Sequence, residues 1–589
     1  SHHVDLEHIN SIKRVDEQEH VWIDSFTLKN LEIIQSNHTN GISLLDIIDN
    51  TISPMGSRLM KNWLLFPLLD LNQIIHRQEA VEFILSNEKF HSFLNGEISK
   101  IGDLERIISK VALKRINPRE LLQLSSALKS IQLIKDECQS NNHQSINQYS
   151  NSFNVNNDII KLIDSHISTE APAIASKGGI FNSGINNELD EYLSISKNSK
   201  DHLIGIKNRE SELTGISSLK LAFNNVFGYY LEVTNTHKDK VPDHWIRKQT
   251  LVNAERYITP ELKEFEEKIL LADSRISEIE SKIYIEFIDR LIVYVTAIQK
   301  DARIIAEIDC LNSLALLAKN NNYTKPTITN DFHIAIKDGR HPVIEKQLPL
   351  GEEYIPNDIY LNHDDQQIII LTGPNMSGKS ALLRQTALIV ILSQIGSYVP
   401  AKHAEIGLVD KVYTRVGASD NISQGESTFM VEMVETASIL NNLSNRSLVI
   451  LDEIGRGTST YDGVSLAWSI AEFLNTSQHK PKTLFATHYH ELNQLEDINN
   501  GIVNYHISTE EKKNKVIFLR KIKKGGSENS FGIHVARMAG IPKPVVKRAT
   551  HILKQLESDR VSINTKSSVK KLTNNIQMNL FEINDPKTT

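Results

Sequence analysis

The sequence predicts a multidomain chain in which a largely α-helical region carries a small inserted β-rich module and is followed by an α/β region. Three observations support this: apolar residues at helical spacing over roughly residues 20 to 200, a change to strand-like alternation near residue 219, and strands alternating with helices after Thr327. At 589 residues the chain is too long for one core, and its length suggests about four domains.

The first region is predicted to be mostly helical. Glu120–Ile134 places apolar residues three and four positions apart. The stretch from Gln139 to Asn157 is rich in Asn, Ser and Gln and is predicted to be a loop. A charged, weakly amphipathic helix is predicted from Asn187 to Glu212.

The segment from Leu219 to Thr234 predicts two short strands joined by a turn at Asn224-Asn225. After Pro260 the helical pattern returns and continues to about Leu317 without an internal Pro or Gly. A continuous helix of about 45 of those residues would span about 70 Å, which is more than one compact domain accommodates. The simplest interpretation is a β-rich module inserted between two long antiparallel helices.

After Thr327 the sequence predicts a largely parallel sheet covered by helices, because short apolar runs are separated by helical patterns. The final stretch, from about Ser558, is rich in Ser, Asn and Lys and predicts a flexible tail. The predicted strands are Ile368–Leu371, Val412–Thr414, Leu448–Leu451 and Thr483–Ala486.

Composition excludes several classes of protein. No run of about 18 apolar residues is present, so no membrane-spanning segment is expected. The two cysteines, Cys138 and Cys310, lie far apart, which excludes a disulfide framework and a cysteine zinc site and fits a reducing cytoplasm. The net charge is −7, so any nucleic-acid contact must be local. The start Ser1-His2-His3 lacks an initiator Met and resembles a tag remnant on part of a longer parent.

A phosphate-binding loop is predicted between the strand at 368–372 and a helix that opens at Lys379. Its glycines let backbone N–H groups turn toward phosphates, and the helix N-terminus favours anions. Lys379 is expected to reach the β- and γ-phosphates of ATP, and the Ser380 hydroxyl to bind Mg²⁺. The loop is Gly373-Pro374-Asn375-Met376-Ser377-Gly378-Lys379-Ser380.

Two further strands end in polar side chains. Asp452 and Glu453 follow the strand 448–451, where Asp452 suits the Mg²⁺ shell and Glu453 is expected to orient or deprotonate the attacking water. His488 follows the strand 483–486 and could contact the γ-phosphate or the water. Two alternatives for His488 stay open: a metal site with neighbouring His490 and Glu491, and a plain structural role.

These residues resemble the motifs of the MutS mismatch-repair ATPases, and further segments extend the resemblance over nearly the whole chain. Those segments are Asn30–Ile33, Pro54–Arg58, Asn253–Tyr257, Gly339–Pro342, Gly417–Met430, Asp452–Gly463 and Phe485–Tyr489.

The resemblance implies an ABC-type ATPase domain, a lever of long helices, an inserted clamp domain and a homodimer that closes around DNA. On this basis the chain divides into a tag remnant and connector end (1–20), helical core and lever (21–204), clamp (205–262) and returning lever helix (263–322). The ATPase domain with a C-terminal helical dimerisation segment (323–557) and a tail (558–589) complete it. It implies a bacterial, nucleoid-associated protein of the cytoplasm.

The resemblance also assigns roles to individual residues. Asn375, with Lys379 and Ser380, would bind phosphates and Mg²⁺, and Ser427 would reach the γ-phosphate of the partner subunit. Tyr354 stands where the family places an aromatic side chain against adenine, although an aromatic residue buried in a turn explains it nearly as well.

Two departures from the family pattern stand out. Ala381 replaces a usual second hydroxyl, so one phosphate contact is expected to be missing. The family reads mismatches with a Phe-x-Glu wedge on an N-terminal domain, and the single Phe-x-Glu here, Phe265-Glu266-Glu267, falls in the long helix after Pro260 and is interpreted as chance. Contact with mismatched double-stranded DNA would therefore depend on a domain outside this sequence.

Two surfaces are candidates for partners. The segment between Gly205 and Pro260 contains eight Lys or Arg and six Asp or Glu, so its net charge of +2 is a weak signal for DNA binding. Arg247 and Lys248, beside Asn253, are the best candidates for DNA phosphate contact. In the tail, Gln577, Leu580 and Phe581 resemble the Gln-x-x-Leu-Phe peptide that binds the replication sliding clamp, although chance apolar residues would look similar. The family also implies a MutL-type partner.

The sequence therefore predicts a mismatch-repair ATPase in which ATP binding and hydrolysis to ADP drive opening, closing and release of a dimeric DNA clamp. Two alternatives stay open. One is a paralogue that acts on recombination intermediates, and the other is a nucleotide-gated DNA clamp with little turnover.

Overall fold

A computed structural model describes residues 19–564, apart from 142, 155–156, 225, 227, 350, 375–376, 417–427, 513–514 and 527–531. The helices are α1 Ser25–Asn30, α2 Leu44–Ile48, α3 Pro54–Leu65, α4 Leu71–Ser86, α5 Glu88–Ile101, α6 Leu104–Ala112, α7 Pro118–Ser140, α8 Gln144–Ser152, α9 Asn157–His166, α10 Asn187–Thr214, α11 Pro260–Leu291, α12 Val295–Asn321, α13 Ile344–Gln347, α14 Lys379–Gln394, α15 Thr428–Asn441, α16 Thr460–Thr476, α17 Leu495–Ile498, α18 Gly532–Met538 and α19 Lys543–Asn564.

Within the residues that the structure describes, the strands form three sheets. They are β1 Trp22–Ile23, β2 Lys220–Asn224, β3 Gly228–Thr234, β4 Ile246–Thr250, β5 Ala254–Ile258, β6 Thr327–Thr329, β7 Ile334–Gly339, β8 Asn357–Leu361, β9 Gln366–Thr372, β10 His403–Gly407, β11 Lys411–Arg415, β12 Leu448–Asp452, β13 Lys482–Thr487, β14 Gly501–Lys512 and β15 Lys515–Lys524.

The helical region confirms the helix predicted at 120–134, which lies within α7. That helix begins with a capping box, in which the Asn117 side chain accepts from the Glu120 N–H and the Glu120 carboxylate accepts from the Asn117 N–H. The loop predicted for 139–157 was wrong, because α8 lies inside it. Ile146 and Tyr149, three residues apart, are both buried there, so two apolar contacts outweigh the polar composition.

The inserted module also follows the prediction. α10 and α11 pack side by side, and between them in sequence lies the antiparallel sheet β2-β3-β5-β4. The helical pattern after Pro260 is interrupted by a 3₁₀ turn at Ile292–Tyr294, so α11 is 32 residues long rather than 45 or more. Phe265 lies within α11 and packs against His202 with the two rings tilted and their centroids 4.1 Å apart, as expected of a packing residue.

The third region contains a seven-stranded sheet of order β1-β11-β12-β13-β9-β14-β15. All four strands predicted after Thr327 are present, and β11, β12, β13 and β9 are parallel. β14 continues the parallel pairing and β15 closes the edge as an antiparallel hairpin. At the other edge, β1 of the N-terminal region pairs with β11, so the helical region contributes a strand to this sheet. A second sheet has the order β6-β10-β7-β8.

Other expectations have mixed outcomes. Cys138 and Cys310 are not joined by a disulfide, and both are buried. Among the described residues, no helix has the length and apolar character needed to cross a membrane. α19 continues to Asn564, past Ser558, where the polar tail was predicted to begin.

Candidate active site

The carboxyl ends of three neighbouring parallel strands bring the predicted site together. β13 lies between β12 and β9, with Asp452 opposite Ala486 and Thr487 opposite Thr372. Each strand is buried along its whole length, since helices α14 and α16 pack against the sheet, and β13 buries Lys482, Thr483 and Thr487 as well as its apolar residues. The polar residues that follow the strands therefore meet at one edge of the sheet, where α/β proteins bind ligands.

The phosphate loop connects β9 to α14. Gly378 precedes the helix with φ of +101°, a conformation that other residues adopt only with strain. The Ser377 hydroxyl donates to the Pro374 carbonyl at 2.7 Å, and Lys379 Nζ donates to the Gly373 and Pro374 carbonyls at 2.7 and 3.1 Å. Lys379 is thus held inside the loop, while Asn375 and Met376 lie outside the described residues.

The charge of Lys379 depends on its surroundings. Burial lowers its pKa to about 8, and the nearby carboxylates of Glu453 and Asp452 oppose that shift. A phosphate bound beside the amine would favour the charged form and raise this pKa again.

Nucleotide affinity should therefore fall at alkaline pH. Above the free-state pKa of about 8 the Lys379 amine is neutral and must take up a proton on binding, so the ATP dissociation constant should rise by up to roughly tenfold for each pH unit. Equilibrium titrations of the protein with ATP at several pH values between about 6.5 and 9.5 measure this change, because the range extends to both sides of the lowered pKa of Lys379. Lys379→Arg should flatten the profile, and an equally steep profile in that variant would assign the effect to another group.

Asp452 and Ser380 have the character of a Mg²⁺ site. Burial raises the pKa of Asp452, and a hydrogen bond from Ser380 and the charge of Lys379 oppose the shift. Asp452 Oδ1 is buried and has no hydrogen-bond partner among the described residues. A buried carboxylate oxygen without a donor is costly unless a cation satisfies it, so the residues fit a hard divalent ion bound by oxygen ligands.

Glu453 and His488 form a hydrogen-bonded pair. His488 Nε2 donates to Glu453 Oε1 at 2.7 Å, and Arg456 forms an ion pair with the other carboxylate oxygen. These contacts lower the pKa of Glu453 to about 2, the hydrogen bond from His488 being the largest cause. The Glu453 backbone has φ of +55°, strained for a residue with a side chain, and its N–H donates to the Ala486 carbonyl.

His488 also lies 3.4 Å from Lys379 Nζ. Because the Glu453 carboxylate only accepts hydrogen bonds, His488 Nε2 carries the proton and does not accept one from Lys379. Within the described part of the chain, no cluster of three or more His, Cys, Asp or Glu side chains has the arrangement of a metal site.

Three residues without an assigned role in the sequence, Arg415, Glu432 and Glu435, support the loop after Glu453. Arg415, the last residue of β11, pairs with Glu432 and Glu435 of α15 at 3.6 and 3.1 Å, and all three side chains are buried. Glu432 also accepts from the Gly455 N–H. Gly455 has φ of +85°, and a Cβ there would lie 2.7 Å from the Cα of Gly463. A sequence signal existed only for the glycines, in the Gly-Arg-Gly run of the motif.

The remaining predicted residues of the nucleotide site and the tail are Tyr354, Ser427, Gln577, Leu580 and Phe581. Tyr354 is partly buried, and its hydroxyl donates to Gln385 of α14 at 3.0 Å, which places the ring beside the helix of the phosphate loop. Ser427 lies outside the described residues, immediately before α15. Gln577, Leu580 and Phe581 also lie outside the described residues.

The predicted DNA contacts lie on the edge of the small sheet. Arg247 and Lys248 are exposed on β4, and Asn253 is exposed in the turn between β4 and β5. Arg247 makes an ion pair with Glu255 at 3.4 Å. Lys248 stands at a register shift in the β4–β5 ladder, where the bulged residue has no opposite neighbour.

Comparisons with known proteins support the same assignment over most of the chain. The family model for MutS domain III matches residues 26–315, and the model for MutS domain V matches residues 369–557. The DNA mismatch repair protein MutS of Bacteroides fragilis is 54% identical over 589 residues, covering 99% of this chain and 68% of that protein. Proteins of the same name from Flavobacterium psychrophilum and Cytophaga hutchinsonii are each 53% identical over 99% of this chain, which spans 67% and 68% of them.

Proposed function

This chain belongs to the MutS family of DNA mismatch repair proteins, ATPases that bind DNA and function as dimers, and we propose that it hydrolyses ATP with Mg²⁺ to open and close a DNA clamp. The observation that carries the proposal is the convergence of Lys379, Asp452, Glu453 and His488 at the ends of three adjacent strands. The segment 369–557 is the ATPase domain of the family.

The proposed chemistry divides among these residues. Lys379 exchanges its two carbonyl contacts for phosphate oxygens of ATP, while Ser380 and Asp452 hold Mg²⁺, which supplies charge neutralisation on the phosphates. Glu453 orients the water that attacks the γ-phosphorus. The P–O bond to ADP breaks, one proton of the water passes to Glu453 and on to solvent, and the other stays on the orthophosphate.

His488 is proposed to control when Glu453 acts. A carboxylate with pKa of about 2 is a weak base, and the hydrogen bond from His488 is the main cause of that low value. If His488 turns to the γ-phosphate, the carboxylate loses this donor and its basicity increases. The alternatives of a metal-binding or purely structural His488 lack a comparable geometric argument.

The site is proposed to be shared between two subunits of a homodimer. Ser427 immediately precedes α15, whose Glu432 is tied to the loop of Gly455 next to Glu453. If Ser427 binds the partner's γ-phosphate, a shift of α15 would therefore move the loop of Gly455 and with it the Glu453 carboxylate. Tyr354 is proposed to lie against adenine, since it borders the helix of the phosphate loop.

The names of the relatives favour mismatch repair over the recombination paralogue. The alternative with little turnover is tested by steady-state phosphate release from ATP with and without duplex DNA. Turnover stimulated or retarded by DNA supports the proposal. A chain that binds ATP but releases no phosphate would identify the non-hydrolysing clamp instead.

The lever is proposed to consist of residues 21–204 and 263–322. The clamp is proposed to be the inserted region 205–262. Support comes from the pairing of α10 with α11 and the small sheet carried between them. Arg247, Lys248 and Asn253 would lie against DNA phosphates.

Charge reversal at Arg247 and Lys248 should weaken duplex binding at every sequence. The salt dependence should flatten by roughly 0.9 in the slope of log K against log [salt] for each DNA phosphate that the protein no longer neutralises. Fluorescence anisotropy at several salt concentrations measures this. The matched control reverses Lys197 and Lys200, which lie on α10 outside the small sheet. An unchanged slope in the first variant would remove Arg247 and Lys248 from the DNA surface.

The tail is proposed to bind the replication sliding clamp through Gln577, Leu580 and Phe581. Changing Leu580 and Phe581 to Ala should abolish capture of the purified sliding clamp in a pull-down, because the apolar anchors of a short peptide carry most of its affinity. Leu572→Ala is the control, a change at an apolar residue upstream of the motif. Equal capture by both variants would disprove the assignment. A MutL-type partner and a place on the bacterial nucleoid are proposed from the family alone.

A further inference from the structure

A cavity of about 290 Å³ lies behind the first turn of α14, next to the proposed phosphate site. Ser380, Ala381 and Arg384 line it from one face of the helix. The segment between α1 and α2 and the turn around His341 form the other walls. The cavity therefore joins the helix of the phosphate loop to the N-terminal helical region.

The cavity presents hydrogen-bond donors. Arg384 Nε is buried and has no hydrogen-bond partner among the residues that the structure describes. His341 is buried, and burial lowers its pKa to about 3, so the ring is neutral. Its Nδ1 accepts from the Val343 and Ile344 N–H groups, each at 3.3 Å, which leaves Nε2 as the nitrogen that carries the proton. A guanidinium with an imidazole N–H is the donor set that suits a phosphate.

Glu32 is the one carboxylate among the described lining residues, and it is already occupied. Its oxygens accept from the Asn37 N–H at 3.2 Å and the Ser36 hydroxyl at 3.4 Å, within its own loop. Its negative charge opposes a phosphate dianion, so any phosphate held here should be held weakly. Donors from Arg384 and His341 together with the opposing Glu32 carboxylate suit transient phosphate binding and not tight binding.

The cavity shares Ser380 with the proposed Mg²⁺ site, where this residue also donates a hydrogen bond to Asp452. A phosphate released at that site therefore has a space lined by hydrogen-bond donors directly beside it. The cavity begins at Ser380, on the subunit that holds the nucleotide. We propose that this cavity binds the inorganic phosphate released by hydrolysis and lets it leave beside the segment between α1 and α2. The inference depends on the proposed hydrolysis of ATP.

The test measures binding of inorganic phosphate to the ADP-loaded chain by calorimetry. Glu32→Gln removes the opposing charge and should tighten phosphate binding by about tenfold, whereas Gln347→Glu adds a carboxylate to the cavity wall and should weaken it by about tenfold. The matched control for Gln347→Glu is Lys346→Gln, which also lowers the net charge by one but lies outside the cavity lining. It should leave the phosphate affinity within about twofold of the wild type.

Phosphate release gives a second readout. After rapid mixing with ATP, cleavage is followed in quenched samples and free phosphate with a fluorescent sensor. Glu32→Gln should delay free phosphate relative to cleavage. Equal phosphate affinities for Glu32→Gln, Gln347→Glu and wild type would place the phosphate elsewhere and overturn the inference. Failure of the wild type to bind ADP or cleave ATP would instead contradict the proposed function.

Discussion

Replacing Glu453 by Gln should lower ATP turnover by about 10²–10⁴-fold while leaving ATP binding nearly unchanged. The amide keeps the size of the side chain but cannot accept a proton from the attacking water. It also removes a negative charge that would repel the phosphates, and this offsets the loss of a charge that favours protonated Lys379. ATP binding should therefore be retained, and the variant should accumulate in the ATP-bound state.

Steady-state phosphate release and equilibrium ATP binding, measured on the same preparation, separate the two effects. The matched control is Glu472→Gln on α16, the same chemical change outside the site. It should retain wild-type turnover. If Glu453→Gln hydrolyses ATP as fast as this control, then Glu453 does not orient the water, and the pair with His488 serves only to hold the loop.

Replacing Arg415 by Met should lower the free energy of unfolding by about 3–5 kcal/mol. The substitution leaves the Glu432 and Glu435 carboxylates buried without their cation, and burial already raises the pKa of Glu435. Because Glu432 accepts from the Gly455 N–H, turnover should fall as well. Urea unfolding, followed over the first transition of this multidomain chain, measures the loss.

Two controls distinguish burial from ion pairing. Arg275→Met breaks an exposed ion pair with Glu278 on α11 and should change stability by about 0.5 kcal/mol or less. Combining Arg415→Met with Glu432→Gln and Glu435→Gln should recover part of the loss, because no uncompensated charge remains. If Arg415→Met costs no more than Arg275→Met, the buried cluster does not stabilise the ATPase domain.

Much of the fold was predictable from local pattern. The four strands after Thr327 are apolar runs bounded by polar residues, and each is long enough to cross a buried sheet. The loop predicted for 139–157 was wrong because this polar stretch contains α8. The helical spacing of Ile146 and Tyr149 indicates that helix despite the composition. The 3₁₀ turn after α11 contains no Pro or Gly, so the sequence pattern does not predict this break in the helix.

By itself, the sequence determined the phosphate loop around Lys379 and the polar residues at the strand ends, because a fixed spacing and a strand-to-helix context are local properties. The tertiary structure decided which of those residues touch. Glu453 pairs with His488 because β12 and β13 are neighbours, and Arg415 meets two glutamates because α15 packs over the end of β11. Such contacts depend on elements distant in sequence, and so does the effect of burial on the pKa values of Lys379 and Asp452.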